Sequence, residues 1–314
     1  MYMIKVILIL LFVFLLTAWL FTGWVFYAFA VRRKMLQLSS GTSSFENEAG
    51  AWAAFEKERD RMLEEAKNIP CTETEIVSKD HLKLKAHFFT CAEPERVVVS
   101  VHGYRGNGYF DFAPSLKWLL DNHCMVLLIE QRGCLSEGEY ITFGAREKED
   151  VILWTEMITE EYPDLPVFLF GISLGSSTVM MTADHAFSRN VKGIIADCGY
   201  SSMKEELTYL AGRWFHIPAF PVLSAMEVWC RVKAHFRISE ADAEAALRHA
   251  QLPVLFIHGG ADDFVPAVHT ERNAAACASF HRTVMIEGAP HALSILKDPD
   301  LYHGEVLRFF EECR

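Results

Sequence analysis

The chain has 314 residues, 51% of them hydrophobic, and a formal net charge of -11 at pH 7. That length holds one large α/β domain or two small ones and buries a sizeable core. The acidic balance, with no Lys/Arg stripe beyond residue 34, argues against a nucleic-acid partner, which needs a basic face.

Much of the apolar excess lies at the start. Between Lys5 and Arg32 runs VILILLFVFLLTAWLFTGWVFYAFAV, 26 positions without a charge. As a helix this spans about 39 Å, more than the roughly 30 Å hydrocarbon core of a bilayer. Ala28-Phe29-Ala30 imitates the small-x-small site of a signal peptide. The apolar run is nevertheless longer than the roughly 7–15 residues of such a segment, and Arg32, Arg33 and Lys34 follow at once. Residues 1–34 are therefore expected to be an uncleaved, single-pass transmembrane anchor. Three basic residues beyond its C-terminal end, against Lys5 and the N-terminus before it, lean toward a cytoplasmic location for the remainder.

Residues 35–70 read as a juxtamembrane tether and helix. LSSGTSSFENEAG is polar, and AWAAFEKERDRMLEEAKNIP has high helix propensity with a stop at Pro70; Trp52, Phe55 and Met62 fall toward one side of it. Residues 71–314 then alternate. TETEIVS and KDHLKLKAHFFT suggest an antiparallel pair joined at Lys79-Asp80. The short β-branched runs RVVVSVHG, MVLLIEQRG, VFLFGIS, VKGIIADCG, PVLFIHGG and RTVMIEGAP suit buried parallel strands. Helical patterns such as FAPSLKWLLDN and REKEDVILWTEMITEEY lie between them. The expected fold class is α/β, a mostly parallel central sheet flanked by helices.

In such sheets chemistry gathers beyond the carboxyl ends of the strands. The residues that follow the runs are His102-Gly103-Tyr104, Gln131-Arg132-Gly133, Ser173, Asp197, Asp262 with Asp263, and His291. A serine, several carboxylates and a histidine thus meet at one edge. Gly171-Ile172-Ser173-Leu174-Gly175 satisfies G-x-S-x-G, with a strand before it and a helical SSTVMMTADHA after it. A Cβ at either glycine would collide with the neighbouring chain, and the turn lifts Ser173 over the end of the sheet at a helix N-terminus.

The stretches VHGYRGNG, EQRGCLSEG, FGISLGSST, ADCGYSS, FIHGGADDFVP and GAPHA together resemble the α/β-hydrolase superfamily over roughly residues 72–312. The nearer likeness is to bacterial membrane-anchored serine hydrolases and their relatives in the Bem46 group. The resemblance implies Ser173 as nucleophile, His291 as general base and Asp262 as the acid; Asp263 and Asp197 are rivals for the last role. It places oxyanion-hole N–H donors at Leu174 and Tyr104, and the Tyr104 ring either lines an acyl pocket or donates its hydroxyl. His102 and His258, in strand-end His-Gly pairs, are expected to bond loops. Glu130 stands where the family pattern has Asp, and Leu135 where it has Gly, which leaves the shape of that loop open.

Residues 199–251 occupy the place of a helical cap insert. Trp214, Phe215, Phe220 and Trp229 give it a large apolar payload, and with Tyr104 the first three are candidates for the substrate pocket. Eight cysteines without a CxxC read as reduced thiols, no metal-ligand spacing occurs, and HGYRGNG lacks the ending of a P-loop, so neither metal nor cofactor is expected. The expected activity is cleavage of carboxylic esters or related acyl bonds through an acyl-enzyme, on a small or lipid-like acyl substrate. A peptidase, thioesterase or acyltransferase would use the same triad. The other classes are a membrane-bound binding protein with an idle site, and a membrane organiser acting through residues 1–70.

Overall fold

The structure, a computed structural model, describes residues 2–33 and 46–314, except for the side chains of 46–52. Helix α1 (Tyr2–Ala30) is long and apolar enough to cross a membrane. Helix α2 (Glu46–Lys67) begins at Glu46, inside the stretch expected as tether. The first part of that tether and the Trp52 side chain lie outside the described residues. Phe55 is half-buried, and Met62, Leu63 and the fully buried Ala66 pack on the core, so α2 docks on the globular part.

Eight strands form one sheet: β1 (Thr72–Val77), β2 (Lys83–Phe89), β3 (Arg96–Val101), β4 (Cys124–Glu130), β5 (Val167–Ile172), β6 (Val191–Asp197), β7 (Val254–Gly259) and β8 (His281–Ile286). Their order is β1-β2-β4-β3-β5-β6-β7-β8. The β1–β2 and β2–β4 pairs are antiparallel and all others parallel. The β-branched runs follow from this position. Every residue of β3, β4 and β5 is buried, because both faces of the sheet are covered. Alternate side chains divide the core. Val97, Val99, Val101, Leu127 and Leu169 face one cluster, while Val98, Val126, Leu128, Phe168 and Phe170 face the other.

The crossover helices are α3 (Gly108–Asp121), α4 (Glu147–Glu161) and α5 (Leu174–Met180). Between β6 and β7 lie α6 (Met203–Arg213), α7 (Ala219–Lys233) and the short α8 (Ala243–Leu247), all within the segment expected as a cap. Helices α9 (Val268–Ala276), α10 (Ser294–Lys297) and α11 (Pro299–Glu312) complete the chain.

Hydrogen bonds hold the loop after β4 at its unusual Glu130. The Glu130 carboxylate accepts from the Gly108 N–H at the start of α3 (3.1 Å), and Ser136 Oγ donates to the Glu130 carbonyl (2.5 Å). Leu135 points outward. Arg132 is buried with a fork on Asp150 (2.6 Å twice) and another on Asp80 in the β1–β2 turn (2.8 and 2.9 Å). Burial pushes the Asp150 carboxyl up and the Arg132 guanidinium works against that shift. Replacing one member of a buried pair strands the other charge. Arg132→Met is expected to cost about 3–5 kcal/mol at pH 8, and less at pH 5, where an unpaired Asp150 takes up a proton. Urea unfolding of the detergent-solubilised protein at the two pH values measures both.

Candidate active site

Ser173 is the residue between β5 and α5, and its backbone is held at φ 56° and ψ −118°. A non-glycine residue at positive φ is strained and persists only where its surroundings dictate it. Those surroundings are backbone. A Cβ on Gly171 would overlap the Gly175 carbonyl, and one on Gly175 would overlap the Val101 and His102 carbonyls of the adjacent strand. Ser173 N–H donates to the Asp197 carbonyl (2.9 Å) and its own carbonyl accepts from Ser177 N–H (3.1 Å), so the turn is fixed on both sides.

His291 comes from the loop after β8 and Asp262 from the loop after β7. His291 Nε2 lies 2.9 Å from Ser173 Oγ, and Nδ1 lies 2.7 Å from Asp262 Oδ2. All three side chains are buried or nearly so. The other Asp262 oxygen accepts from the N–H groups of Phe264 (3.1 Å) and Val265 (2.8 Å), and His258 Nε2 stands 3.3 Å from Oδ2. Burial by itself would raise the Asp262 carboxyl, but the His291 charge and the bonds from His258 and His291 hold it well below the ordinary carboxylate range. Burial would lower His291, and the Asp262 charge reverses this and raises the imidazole above its ordinary value.

The rival carboxylates stand elsewhere. Asp263 is half-exposed and pairs with Arg213 (3.3 Å). Asp197 accepts from Tyr302 (2.8 Å), and burial pushes its carboxyl up to about 6. His102 bonds the Gln131 N–H in the loop after β4 (3.0 Å), and His258 bonds the Val265 carbonyl of the loop after β7 (2.8 Å) and Thr270 of α9 (2.7 Å).

Two cavities meet at Ser173. One, of about 120 Å³, is lined by Tyr104, Leu174, Trp214 and Phe215 together with residues of α6, α7 and α1. The other, of about 350 Å³, passes His291 and carries polar groups from Arg105, Asn107 and Asp111. The Tyr104 ring lines the first cavity, and its hydroxyl donates to the Ala30 carbonyl at the end of α1 (2.8 Å). Phe220 is a correction. It is 78% exposed and stands away from both cavities, because the chain leaves helical geometry at that residue and turns the ring outward.

Three features had no sequence signal. Phe26, Phe29 and Ala30 at the end of α1 line the apolar cavity, although their stretch reads only as membrane-spanning. Glu206 of α6 is its one carboxylate, with Oε2 at ion-pair distance from His269 Nε2 (3.1 Å) but without hydrogen-bond alignment. Cys198 Sγ gathers with ligand atoms of Asp262 and His291 within 4.8 Å. Both His291 nitrogens already face Ser173 and Asp262, and burial pushes the Cys198 thiol up to about 12, so the cluster lacks a free imidazole and a thiolate for a metal.

A model of the serine aminopeptidase S33 family matches residues 92–241. The uncharacterized protein YqkD of Bacillus subtilis is 24% identical over 233 residues, 73% of this chain and 75% of that protein. Among solved structures, the Pyrococcus furiosus esterase Pf2001 superimposes with a TM-score of 0.63 at 17% identity, covering 80% of this chain and 93% of the esterase. The Pyrococcus horikoshii acylaminoacyl peptidase gives 0.60 at 16% identity, over 78% of this chain and 41% of the peptidase. With the eight-stranded sheet, these likenesses show the α/β-hydrolase fold. They support a general hydrolase.

The glycine contacts carry a prediction. Gly175→Ala has backbone atoms where its methyl must go, so it is expected to cost about 3 kcal/mol or more. Ala211→Gly, on the far side of the cavity, is expected to cost about 1 kcal/mol. Chemical denaturation of both variants compares them.

Proposed function

We propose that the protein is a membrane-anchored serine hydrolase that cleaves carboxylic esters or related acyl bonds through an acyl-enzyme. The observation that carries this reading is the unbroken series from Ser173 Oγ to His291 to Asp262, at 2.9 and 2.7 Å. A serine hydroxyl becomes a competent nucleophile when a base takes its proton as the bond forms. Ser173 Oγ attacks the acyl carbon while its proton passes to His291 Nε2. The tetrahedral intermediate then expels the alcohol, which leaves with that proton. Water repeats the sequence on the acyl-enzyme, returning the acid and free Ser173. Asp262 keeps the imidazole in the Nδ1–H tautomer and stabilises the imidazolium.

The oxyanion would be held by the N–H of Leu174, which as the first residue of α5 has no acceptor within its helix, and by that of Tyr104. The apolar cavity suits the acyl chain and the polar one the departing alcohol. An aminopeptidase would bind a substrate ammonium on Glu206, but that carboxylate already faces His269 and burial raises it toward its neutral form, so the ester reading is preferred.

A fluorophosphonate probe is expected to label Ser173 in the full-length protein, with loss of labelling in Ser173→Ala and His291→Ala, as mapped by mass spectrometry. Failure to label the folded protein would overturn the reading. Attack requires neutral His291, whose pKa is raised, so labelling should decline as pH falls through a midpoint above 6.5. Asp262→Asn removes the charge that raises it. That variant should move the midpoint down and slow labelling by roughly three to four orders of magnitude.

A further inference from the structure

The first half of α1 and its last turns do different things. From Tyr2 to Ala18 every residue is exposed. Beyond that point one face is covered. Gly23 lies so close to α7 that a Cβ would overlap the Ala225 backbone. Trp19 Nε1 donates to the Pro221 carbonyl (2.9 Å), and Trp229 Nε1 donates from α7 to the Leu20 carbonyl (2.8 Å). Tyr27 and Ala28 are buried, and the Ile141 N–H donates to the Val31 carbonyl (2.9 Å). The Ala30 carbonyl accepts from Tyr104, the Phe29 carbonyl accepts from Arg105, and the Arg105 guanidinium also sits over the Phe29 ring. A chain cleaved at Ala28-Phe29-Ala30 would lose this packing.

The packed turns reach the site itself. Phe26, Phe29 and Ala30 form one side of the apolar cavity that ends at Ser173, opposite Leu207 and Ala211 of α6. At its outer side Phe26 meets Phe215 edge to face (5.7 Å), and Phe215 is 47% exposed. The position of this edge relative to a bilayer follows from counting. A hydrocarbon core of roughly 30 Å takes about 20 helical residues, and starting after Lys5 it ends near Val25. Phe26 and Phe215 then stand at the boundary of hydrocarbon and headgroups. Phe220 and Pro221, which are exposed beside Trp19, lie below that level with Phe21 and Val25. Trp24 fits the same level, since indole rings favour the interface, whereas Trp19 and Trp229 bond across the α1–α7 contact deeper in the hydrocarbon.

We propose that the end of α1 is a wall of the acyl-binding cavity, and that the cavity takes the acyl chain of a membrane-resident amphiphile directly from the bilayer through the Phe26–Phe215 edge. The inference rests on Ser173 being the nucleophile only for what happens next; the binding of the chain stands on the cavity and its position. Phe26, Phe29 and Ala30 are on this account specificity residues, and the exposed Phe220 is a bilayer contact.

Vesicles of phosphatidylcholine carrying a diazirine at the end of one acyl chain, reconstituted with the full-length protein, test this. Photolysis is expected to place cross-links on Leu207 or Met203, which line the cavity, equally in the wild type and in Ser173→Ala. Ala30→Trp and Ala211→Trp, filling the cavity from opposite sides, should reduce them at least tenfold, while Phe12→Trp on the free part of α1 leaves them unchanged. In the same vesicles the ratio of long-chain to acetyl ester turnover should fall at least tenfold in the two filled variants. Cross-links confined to Tyr2–Val25, or an unchanged ratio in both filled variants, would overturn the proposal and leave the hydrolase reading intact. Cross-links at Leu207 without turnover that depends on Ser173 would do the reverse, supporting the lipid cavity and overturning the hydrolase.

Discussion

The site depends on one close approach of backbone to backbone. Where β5 turns into α5, Gly175 lies against the Val101 and His102 carbonyls and Gly171 against Gly175, with no room for a methyl group at either position. This contact sets the positive φ of Ser173 and so the direction of its hydroxyl. It does so without help from the Ser173 side chain, which is left free to face His291. The cost of the strained residue is met by the surrounding sheet, whose central strands are buried on both faces and cannot shift to relax it.

Upon that geometry the electrostatics are layered from the outside inward. Asp262 is desolvated, yet two backbone N–H groups, His258 and His291 all face it, so its charge is satisfied on every side. Burial would lower His291, and the Asp262 charge, with a smaller contribution from Cys198, raises it instead. A base raised in this way accepts a proton more readily but is charged over more of the pH range. Asp197 illustrates the opposite case one strand away. It has a single hydroxyl partner and stays high, at about 6.

The legible parts of the sequence were those with local physical signatures. The β-branched runs marked the parallel strands because both faces of this sheet are covered, and Gly171-Ile172-Ser173-Leu174-Gly175 marked its turn because only glycine fits there. Strand-end position brought Ser173, Asp262 and His291 to one edge; the resemblance singled out Asp262 over Asp263, and in the fold Asp262 faces His291 while Asp263 pairs with Arg213. What stayed hidden depends on tertiary docking. The start of α2 moved to Glu46, the ring of Phe220 turned outward, and Glu206 entered the cavity from a helix whose pattern is merely amphipathic.

The last turns of α1 were hidden for a different reason. A membrane-spanning helix and a helix that builds a cavity wall both need unbroken apolar residues, so hydropathy cannot separate them. The distinction lies in small residues and exposed carbonyls. Gly23 admits α7 at contact distance, and the carbonyls of Leu20, Phe29 and Ala30 accept bonds from Trp229, Arg105 and Tyr104. The Phe29 and Ala30 carbonyls belong to the last turn of α1, where carbonyls have no partners within the helix, so side-chain donors from the globular part satisfy them and each holds its donor in one orientation. A tether would need none of these contacts. Their concentration over residues 19–31, next to Ser173, makes the position of the helix and the shape of the cavity a single structural problem, so that a change in one is a change in the other.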